Sequence, residues 1–348
     1  MARAGGETGA ASLIRRRSRI AALALIAALA GGCAPGVVAP GPAVTAPALR
    51  ADRLVAADGT GLALRSWLPA EGAPRAVVVA VHGFNDYGNF IALAAAYLAH
   101  RRIATYAYDQ RGFGETPARG MWPGIKALVD DLRAMTARLR ARHPETPLYL
   151  LGASMGGSVI MVAMTGAAAP AVDGLILSGP AVWGRATMPF YQRWALAVAA
   201  HTVPWLTVTG RGLNILASDN IEMLRNLGRD PLVIKETRID TIHGLVNLMD
   251  AAFDAAPRLQ APALILYGEN DEVIPKEPTE QMIARLPAGG RGDQRVALYE
   301  KGYHMLLRDL QAETVWRDIV GWIEDPARPL ASGADSHARQ ARQARRGR

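Results

Sequence analysis

The sequence predicts an α/β fold with a mostly parallel central sheet, flanked by helices and interrupted by a mainly helical insertion. Two β-branched runs, "RAVVVAVHG" and "IATYAYD", suit strands buried on both faces, and segments with helical spacing lie between and after them. Strands that alternate with helices favour parallel pairing through right-handed crossovers. From Trp183 to about Leu259 the alternation stops, and a segment of this length is better explained as a cap over the carboxyl ends of the strands than as a loop.

These patterns divide the 348 residues into six segments. The segments are an export signal (1–32), a linker rich in Pro, Ala and Gly (33–52), the first part of the α/β core (53–182), the cap (183–259), the second part of the core (260–326) and a basic disordered tail (327–348). "LVAADGTGLALRSWLP" predicts a hairpin that turns at Asp58-Gly59. "APALILYGENDEVIP" and "QRVALYE" predict strands in the second part of the core, and "ETVWRDIVGWI" predicts a final helix.

The amino terminus has the pattern of an export signal. Four arginines precede "IAALALIAALA", an apolar run that is short for a membrane span, and "GGC" follows. The small residues before Cys33 are similar to a bacterial lipobox, which implies cleavage before Cys33, lipid attachment there, and a lipid-anchored place in the bacterial envelope, on the periplasmic side of the outer membrane. An ordinary cleaved signal peptide is the alternative. Since Cys33 is the only cysteine, an internal disulfide is excluded.

The net charge of +8 is concentrated at the two ends of the chain. Residues 1–32 hold five arginines and one glutamate, and the final "SHARQARQARRGR" holds five arginines and no acid, so the body is close to neutral. A near-neutral body argues against nucleic acid as the main partner. We expect the tail to be solvated, with contact to anionic lipid head groups as the alternative.

The stretch "GASMG" fits the G-x-S-x-G pattern that presents a serine, here Ser154, at a sharp turn between a strand and a helix. A serine hydroxyl becomes a strong nucleophile only when a base takes its proton and an acid orients that base. His304 follows the last predicted strand, and Asp271 follows the strand before it, with Glu269 and Glu272 as rival acids. The order Ser, Asp, His, each at the end of a strand, predicts a catalytic triad.

Two backbone N–H groups are candidate donors to a developing oxyanion. Phe84 in "VHGFN" offers one, and Met155, directly after the predicted nucleophile, offers the other. His82 is interpreted as a residue that shapes this loop, and Asp109 and Arg111 of "DQRGFG" as residues that pin a neighbouring loop. The sequence has no phosphate-binding loop, zinc-type Cys/His set or dinucleotide fingerprint, so we expect no metal and no cofactor.

The stretches "VHGFNDYGNF", "YDQRGFGET", "GASMGGSV", "YGENDEVIP" and "KGYHML" resemble the α/β-hydrolase superfamily, in the monoacylglycerol lipase and lysophospholipase branch that is grouped with serine aminopeptidases. The resemblance covers about residues 54–325. It implies an α/β-hydrolase fold with nucleophile Ser154, acid Asp271, base His304 and oxyanion donors at Phe84 and Met155. The branch often has a small residue and a Gly-Glu-His run after "HG", where this chain has "FNDY", so the head group of the substrate stays open.

Aromatic side chains are dense at the start of the predicted cap. Trp183, Phe190, Tyr191 and Trp194 are expected to form an apolar acyl-binding wall, and with Trp205 they could also form a membrane-facing lip. Packing of the cap onto the body is the alternative. Beside a lipid anchor, this cluster favours a single-chain lipid ester, a monoacylglycerol or a lysophospholipid, as substrate.

Three other functions remain open at this point. A peptidase or amidase would need acidic residues to hold the amino terminus of its substrate, for which Asp219, Glu222 and Glu236 are candidates. A small-ester esterase would differ only in its preference for acyl length. A non-catalytic lipoprotein of the envelope would keep the scaffold without an activated serine.

Overall fold

The computed structural model describes residues 34–210, 212, 214–287 and 294–346. Cys33 and the predicted export signal at 1–32 lie outside the described residues. Within the described part of the chain, no helix is both long enough and apolar enough to cross a bilayer.

One central sheet organises the described chain, with nine strands in the spatial order β1-β2-β3-β5-β4-β6-β7-β10-β11. The strands of the structure are β1 (Ala48–Leu49), β2 (Arg53–Val55), β3 (Gly61–Trp67), β4 (Ala76–Val81), β5 (Ile103–Tyr108), β6 (Leu148–Ala153), β7 (Gly174–Ser178), β8 (Thr207–Val208), β9 (Thr237–Arg238), β10 (Ala263–Gly268) and β11 (Gln294–Tyr299). The pairs β1/β2, β2/β3 and β3/β5 are antiparallel. From β5 through β4, β6, β7 and β10 to β11 every pair is parallel.

Helices cover both faces of this sheet, and two further helices belong to the insertion. In chain order, the helices of the described residues are α1 (Ala92–His100), α2 (Ile125–Arg142), α3 (Met155–Met164), α4 (Phe190–Thr202), α5 (Ile221–Arg229), α6 (Ile239–Ala255), α7 (Lys276–Ala284), α8 (Ala312–Glu324) and α9 (Ala334–Arg346). Apolar side chains of α2, α3 and α6 pack on one face. Those of α1 and α8 pack on the other face. The predicted mostly parallel central sheet flanked by helices is confirmed.

The local patterns form the elements they predicted. All six residues of β4 and all six of β5 are buried, as expected for strands covered on both faces. Helix α2 turns Leu128, Leu132 and Met135 inward and ends before Pro144. The predicted hairpin forms between β2 and β3, where Gly59 has a φ of +80°.

The inserted cap is shorter than the predicted segment 183–259. Helix α6 packs against α3 and buries Leu248, Ala252 and Phe253 in the main core, so it belongs to the body. The insertion therefore ends near Arg238 and consists of α4, α5 and the small β8/β9 ribbon. The sequence alone did not separate these parts because cap and body are both helical across this boundary.

The predicted linker (33–52) and the predicted disordered tail (327–348) both contain ordered structure in their described residues. Residues 34–47, named here the N-terminal strap, run along the body, and β1 follows within the predicted linker. The predicted disordered tail contains α9, which packs against β11 and buries Ala334 and Ala338. These alanines lie four residues apart on one side of the helix and form a small apolar face. The sequence analysis did not identify this face because arginine dominates the composition of the segment.

Candidate active site

Ser154 occupies a strained turn between β6 and α3. Its φ of +51° and ψ of −118° are rare for any residue except glycine. Its N–H donates to the Ser178 carbonyl oxygen at 2.9 Å, and its own carbonyl oxygen accepts from the Ala181 N–H at 3.1 Å. These two bonds hold the elbow against the end of β7, so the strain is supported by the neighbouring strand.

Asp271 and His304 form a buried hydrogen-bonded pair. His304 Nδ1 lies 2.8 Å from Asp271 Oδ2, and both side chains are almost fully buried. The other carboxylate oxygen, Oδ1, accepts from the N–H groups of Val273 and Ile274, each at 2.8 Å. The Asp271 carboxylate is thus fixed on both sides, which fixes the plane of the imidazole.

The rival acids are engaged elsewhere. Glu269 pairs with Lys276 at 3.0 Å and with His337 at 2.9 Å, so it lies between α7 and the tail helix α9. Glu272 accepts the N–H of Leu216 in the cap at 2.7 Å. Of the three acids in "GENDE", only Asp271 contacts His304 within the described residues.

Ser154 and His304 line the same cavity, which has a volume of about 390 Å³. The Ser154 N–H binds Ser178, the last residue of β7, and Gly179 follows directly. A Cβ at Gly179 would lie 3.3 Å from His304 Nδ1, so the end of β7 contacts the Asp271–His304 pair. The structure therefore brings the three predicted triad residues together at the carboxyl ends of β6, β10 and β11.

The two predicted oxyanion donors flank Ser154. Gly83 and Phe84 line the cavity, and a Cβ at Gly83 would lie 3.3 Å from the Ser154 Cβ. Met155 is the first residue of α3, where N–H groups have no partner within the helix. The Met155 N–H therefore lies at the amino-terminal end of α3, where the helix dipole favours negative charge.

His82 shapes the loop after β4, as predicted. Its side chain is buried, with Nδ1 at 2.8 Å from the Gly83 carbonyl oxygen and Nε2 accepting the Gln110 N–H at 2.9 Å. Burial lowers the pKa of His82, so the ring is neutral with its proton on Nδ1. Asp109 is also buried and accepts from the N–H groups of Gly88 and Glu115, which pins the neighbouring loop.

Only one of the four aromatic residues that were predicted to form an acyl-binding wall lines the cavity. Trp183 lines the cavity. Phe190, Tyr191 and Trp194 are 76%, 58% and 72% exposed and lie on the outer face of α4. The reason is helical geometry: positions 190, 191 and 194 share one side of α4, and the opposite side, with Ala200, packs inward.

The apolar wall is instead built by α6, which the sequence analysis placed in the cap. Its Ile242, Leu245, Val246 and Met249 line the cavity. Their spacing of three to four residues is the signal that could have identified them.

A charged pair at the cavity wall was also missed. Asp86 and Arg308 both line the cavity and form a direct ion pair, with Asp86 5% exposed. Asp86 follows the oxyanion loop, and Arg308 lies four residues after His304. No sequence pattern joins positions so far apart, although both flank predicted site motifs.

The described residues contain no group of three or more His, Cys, Asp or Glu side chains arranged to hold a metal ion.

The geometry agrees with comparisons to known proteins. The sequence model of the family described as "Serine aminopeptidase, S33" matches residues 72–311, well over half of the chain. The monoacylglycerol lipase of Mycolicibacterium smegmatis is 26% identical over 270 residues, covering 74% of this chain and 90% of that protein. The monoglyceride lipase of Rattus norvegicus is 27% identical over 276 residues, covering 78% and 89%.

A solved structure shows the same fold. The soluble variant of monoglyceride lipase from Saccharomyces cerevisiae, in complex with a substrate analogue, superposes with a TM-score of 0.66 at 22% identity and covers 82% of this chain and 98% of that one. The monoacylglycerol lipase of Paleococcus ferrophilus gives a TM-score of 0.60 at 22% identity, covering 75% and 98%. The predicted α/β-hydrolase fold is confirmed.

Proposed function

The chain belongs to the S33 serine aminopeptidase family of lipase- and esterase-like α/β-hydrolases, and we propose that it hydrolyses carboxylic esters of single-chain lipids, monoacylglycerols or lysophospholipids. The observation that carries the proposal is the cavity of about 390 Å³, which has an apolar wall from α6 and both Ser154 and His304 in its lining. This volume is in the range of small-molecule sites.

The geometry supports hydrolysis through an acyl-enzyme. Ser154 Oγ attacks the ester carbonyl carbon while His304 accepts the hydroxyl proton, and Asp271, held at 2.8 Å from Nδ1, stabilises the imidazolium. The amides of Phe84 and Met155 donate to the oxyanion. His304 then protonates the departing alcohol, and a water molecule, deprotonated by His304, releases the fatty acid and restores Ser154.

The charge of the cavity argues against an aminopeptidase. Such an enzyme needs a free carboxylate to hold the ammonium group of its substrate, and the one carboxylate that lines the cavity beside the triad in the described chain, Asp86, is already neutralised by Arg308. Asp219, a candidate from the sequence, accepts the Leu310 N–H, and Glu222 lies exposed on α5. An apolar wall with a neutralised polar pair fits an acyl chain ending in a polar head.

The test is hydrolysis of acyl esters of increasing chain length, monoacylglycerols, lysophospholipids and an aminoacyl anilide by the protein and by Ser154→Ala. We expect turnover of long-chain monoesters, with kcat at least about 10⁴-fold lower in the variant. Ser66→Ala, at an exposed position of β3, is the matched control and should leave the rate unchanged.

Labelling with a fluorophosphonate separates an enzyme from a binding protein, because the reagent needs an activated serine. We expect labelling of the protein and of Ser66→Ala, and none of Ser154→Ala. Hydrolysis of the anilide alone would overturn the ester proposal, and the absence of both labelling and turnover would favour the envelope-binding alternative.

A further inference from the structure

Five consecutive residues of the cap, 216–220, each make a hydrogen bond to one of two loops of the body. One loop, 269–275, carries Asp271, and the other, 300–311, carries His304. The bonds join the Leu216 N–H to Glu272 Oε2 (2.7 Å), the Met305 N–H to the Ala217 carbonyl oxygen (3.0 Å), Ser218 Oγ to Asp309 Oδ1 (2.6 Å), the Leu310 N–H to Asp219 Oδ1 (2.8 Å) and Asn220 Nδ2 to the Arg308 carbonyl oxygen (3.0 Å). The cap is thus bonded to both loops that carry the acid and the base.

Helix packing does not account for the placement of this segment. Helix α5 follows it directly, and none of the residues of α5 is buried. Ser218, by contrast, is fully buried, and Ala217 lines the catalytic cavity beside His304 and Met305. The 216–220 segment therefore forms part of the wall next to the catalytic base, and its hydrogen bonds hold it there.

Asp309 closes the loop around His304. Its side chain is buried, and its Oδ2 accepts the N–H of Tyr303, the residue directly before His304, at 2.8 Å. The Asp309 N–H donates to the carbonyl oxygen of Met305, the residue directly after His304, at 3.0 Å. Asp309 therefore binds the backbone on both sides of His304, from which the imidazole projects towards Asp271.

Ser218 of the cap holds the other oxygen of Asp309. Its Oγ donates to Asp309 Oδ1 at 2.6 Å and accepts the Asn220 N–H at 3.2 Å. A buried carboxylate oxygen that loses its donor pays a desolvation cost, which favours rotation of the side chain away from its other partner. The bond between Ser218 and Asp309 is therefore a connection between the cap and the backbone of the catalytic base.

We propose that Asp309 is a positioning residue for His304 and that Ser218 holds Asp309 in place, so that the cap sets the geometry of the catalytic base. The proposal rests on the hydrolytic mechanism proposed above. Asp271 fixes the plane of the imidazole, whereas Asp309 fixes the backbone that carries it, and both are needed to keep Nε2 within reach of the Ser154 hydroxyl. Asp309 acts through its hydrogen bonds and contacts neither the substrate nor the reacting atoms.

The first test is the steady-state kinetics of Asp309→Ala and Ser218→Ala on a short soluble ester. We expect kcat to fall by at least about 10-fold in each, and by about 100-fold where His304 moves by about 1 Å. KM should change by no more than about twofold, because the lost interaction orients the base and does not bind the substrate.

Asp309→Asn should restore most of the rate. An asparagine of the same shape accepts the Tyr303 N–H through its amide oxygen and donates its amide N–H₂ to Ser218 Oγ, so both bonds to the loop and to the cap are kept. We expect its kcat to stay within about threefold of that of the protein. This rescue separates positioning by hydrogen bonds from an effect of the negative charge.

Ser332→Ala is the matched control. Ser332 Oγ donates to Asp318, a second buried carboxylate, which does not line the catalytic cavity. The variant removes the same kind of bond and should lower the free energy of unfolding without changing kcat. Circular dichroism and urea unfolding show that each variant is folded under the assay conditions.

The proton NMR signal of the hydrogen bond between His304 Nδ1 and Asp271 reads the geometry without a substrate, because such a proton resonates far downfield. We expect this signal in the protein, in Ser332→Ala and in Asp309→Asn. It should be lost or shifted upfield in Asp309→Ala and in Ser218→Ala. Asp271→Asn removes the bond and assigns the signal.

Unchanged kcat and an unchanged signal in both alanine variants would overturn the proposal. A raised KM with unchanged kcat would do so as well, since the segment would then bind the substrate, and so would equal losses in Asp309→Asn and Asp309→Ala. If Asp309→Ala does not fold, Ser218→Ala decides, because it leaves Asp309 bonded to Tyr303. An absence of ester hydrolysis by the protein, with the pattern of NMR signals intact, would overturn the proposed function and leave the positioning role standing.

Discussion

At the scale of single residues, the position of Asp271 depends on which hydrogen bonds its carboxylate receives. One oxygen accepts two N–H groups of its own loop and the other binds His304, so the carboxylate is held in one orientation. Glu269 is two residues before Asp271 and binds α7, and Glu272 is one residue after it and binds the cap. The position of each carboxylate in the fold, and not its spacing in the sequence, therefore decides which acid contacts His304.

Asp271→Asn should lower kcat by about 10⁴-fold while the fold is kept, because an amide N–H₂ facing Nδ1 favours the wrong tautomer of His304. Glu272→Gln is the matched control, since its carbonyl oxygen can still accept the Leu216 N–H, and we expect no more than a small change in kcat. Steady-state kinetics on a short soluble ester measure both. If kcat fell strongly in Glu272→Gln and not in Asp271→Asn, Asp271 would not be the acid of the triad.

At the scale of elements, the elbow requires α3 to approach β4 closely. A Cβ at Gly156 would overlap the Val81 carbonyl oxygen. Gly156→Ala should therefore lower the free energy of unfolding by about 1–3 kcal/mol, because backbone on both sides has to shift. Gly321→Ala, also within a helix but with nothing near its Cβ position, should raise it by about 0.5–1 kcal/mol. Urea unfolding measures both free energies. Equal changes in the two variants would show that α3 does not approach β4 closely at Gly156.

The tail helix α9 depends on the charge of Glu269. Burial acts to raise the pKa of Glu269, but the hydrogen bonds from His337 and Lys276 together lower it below its ordinary value. A lowered carboxyl pKa means that the stabilisation is complete above the unfolded value of 4.5 and is lost as the pH falls below it. The docking of α9 should therefore weaken in acid.

We expect amide hydrogen-exchange protection in α9 to be constant between about pH 5 and 7 and to fall below about pH 4.5. Glu269→Gln should show less protection at pH 7 and a smaller fall in acid. The ion pairs of Asp335 with Arg295 and Arg339 are the same in both proteins, so the difference isolates Glu269. Identical protection curves would mean that this contact does not hold the helix.

Sequence patterns predicted the strands, the hairpin and the three residues that meet at the cavity, because each depends on local periodicity or on a short motif at the end of a strand. They did not predict that α6 belongs to the body or that α4 turns Phe190 and Trp194 outward. Both depend on which helix side the rest of the fold covers. Arginine-rich composition likewise concealed α9, whose packing uses only small alanines.

At the scale of the whole molecule, Arg111 joins parts that are distant in sequence. Its guanidinium pairs with Asp58 in the β2–β3 turn at 2.7 Å and with Asp131 of α2 at 2.6 Å, and the strap runs over the same region. All three side chains are largely buried. The loop that contains Arg111 also holds Gln110 against His82, so this cluster connects the amino-terminal hairpin to the loops around the cavity.

Arg111→Leu should lower the free energy of unfolding by about 3–5 kcal/mol at pH 8, because it leaves buried carboxylates without their cation. Arg138→Leu, at an exposed position of the same α2, should change it by no more than about 0.5 kcal/mol. Urea unfolding of the three proteins between pH 5 and 8 measures both effects.

The pH dependence of that loss follows from Asp131. Burial raises its pKa to about 6 despite the opposing effect of Arg111, so between its unfolded value of 3.8 and about 6 the native state keeps a proton that the unfolded chain has released. Stability from this group therefore falls as the pH rises to about 6 and then levels off. Without Arg111 the pKa of Asp131 is higher still, so the fall continues above pH 6. The gap between the protein and Arg111→Leu should widen from pH 5 to pH 8, and a constant gap would mean that Asp131 stays ionised without its partner.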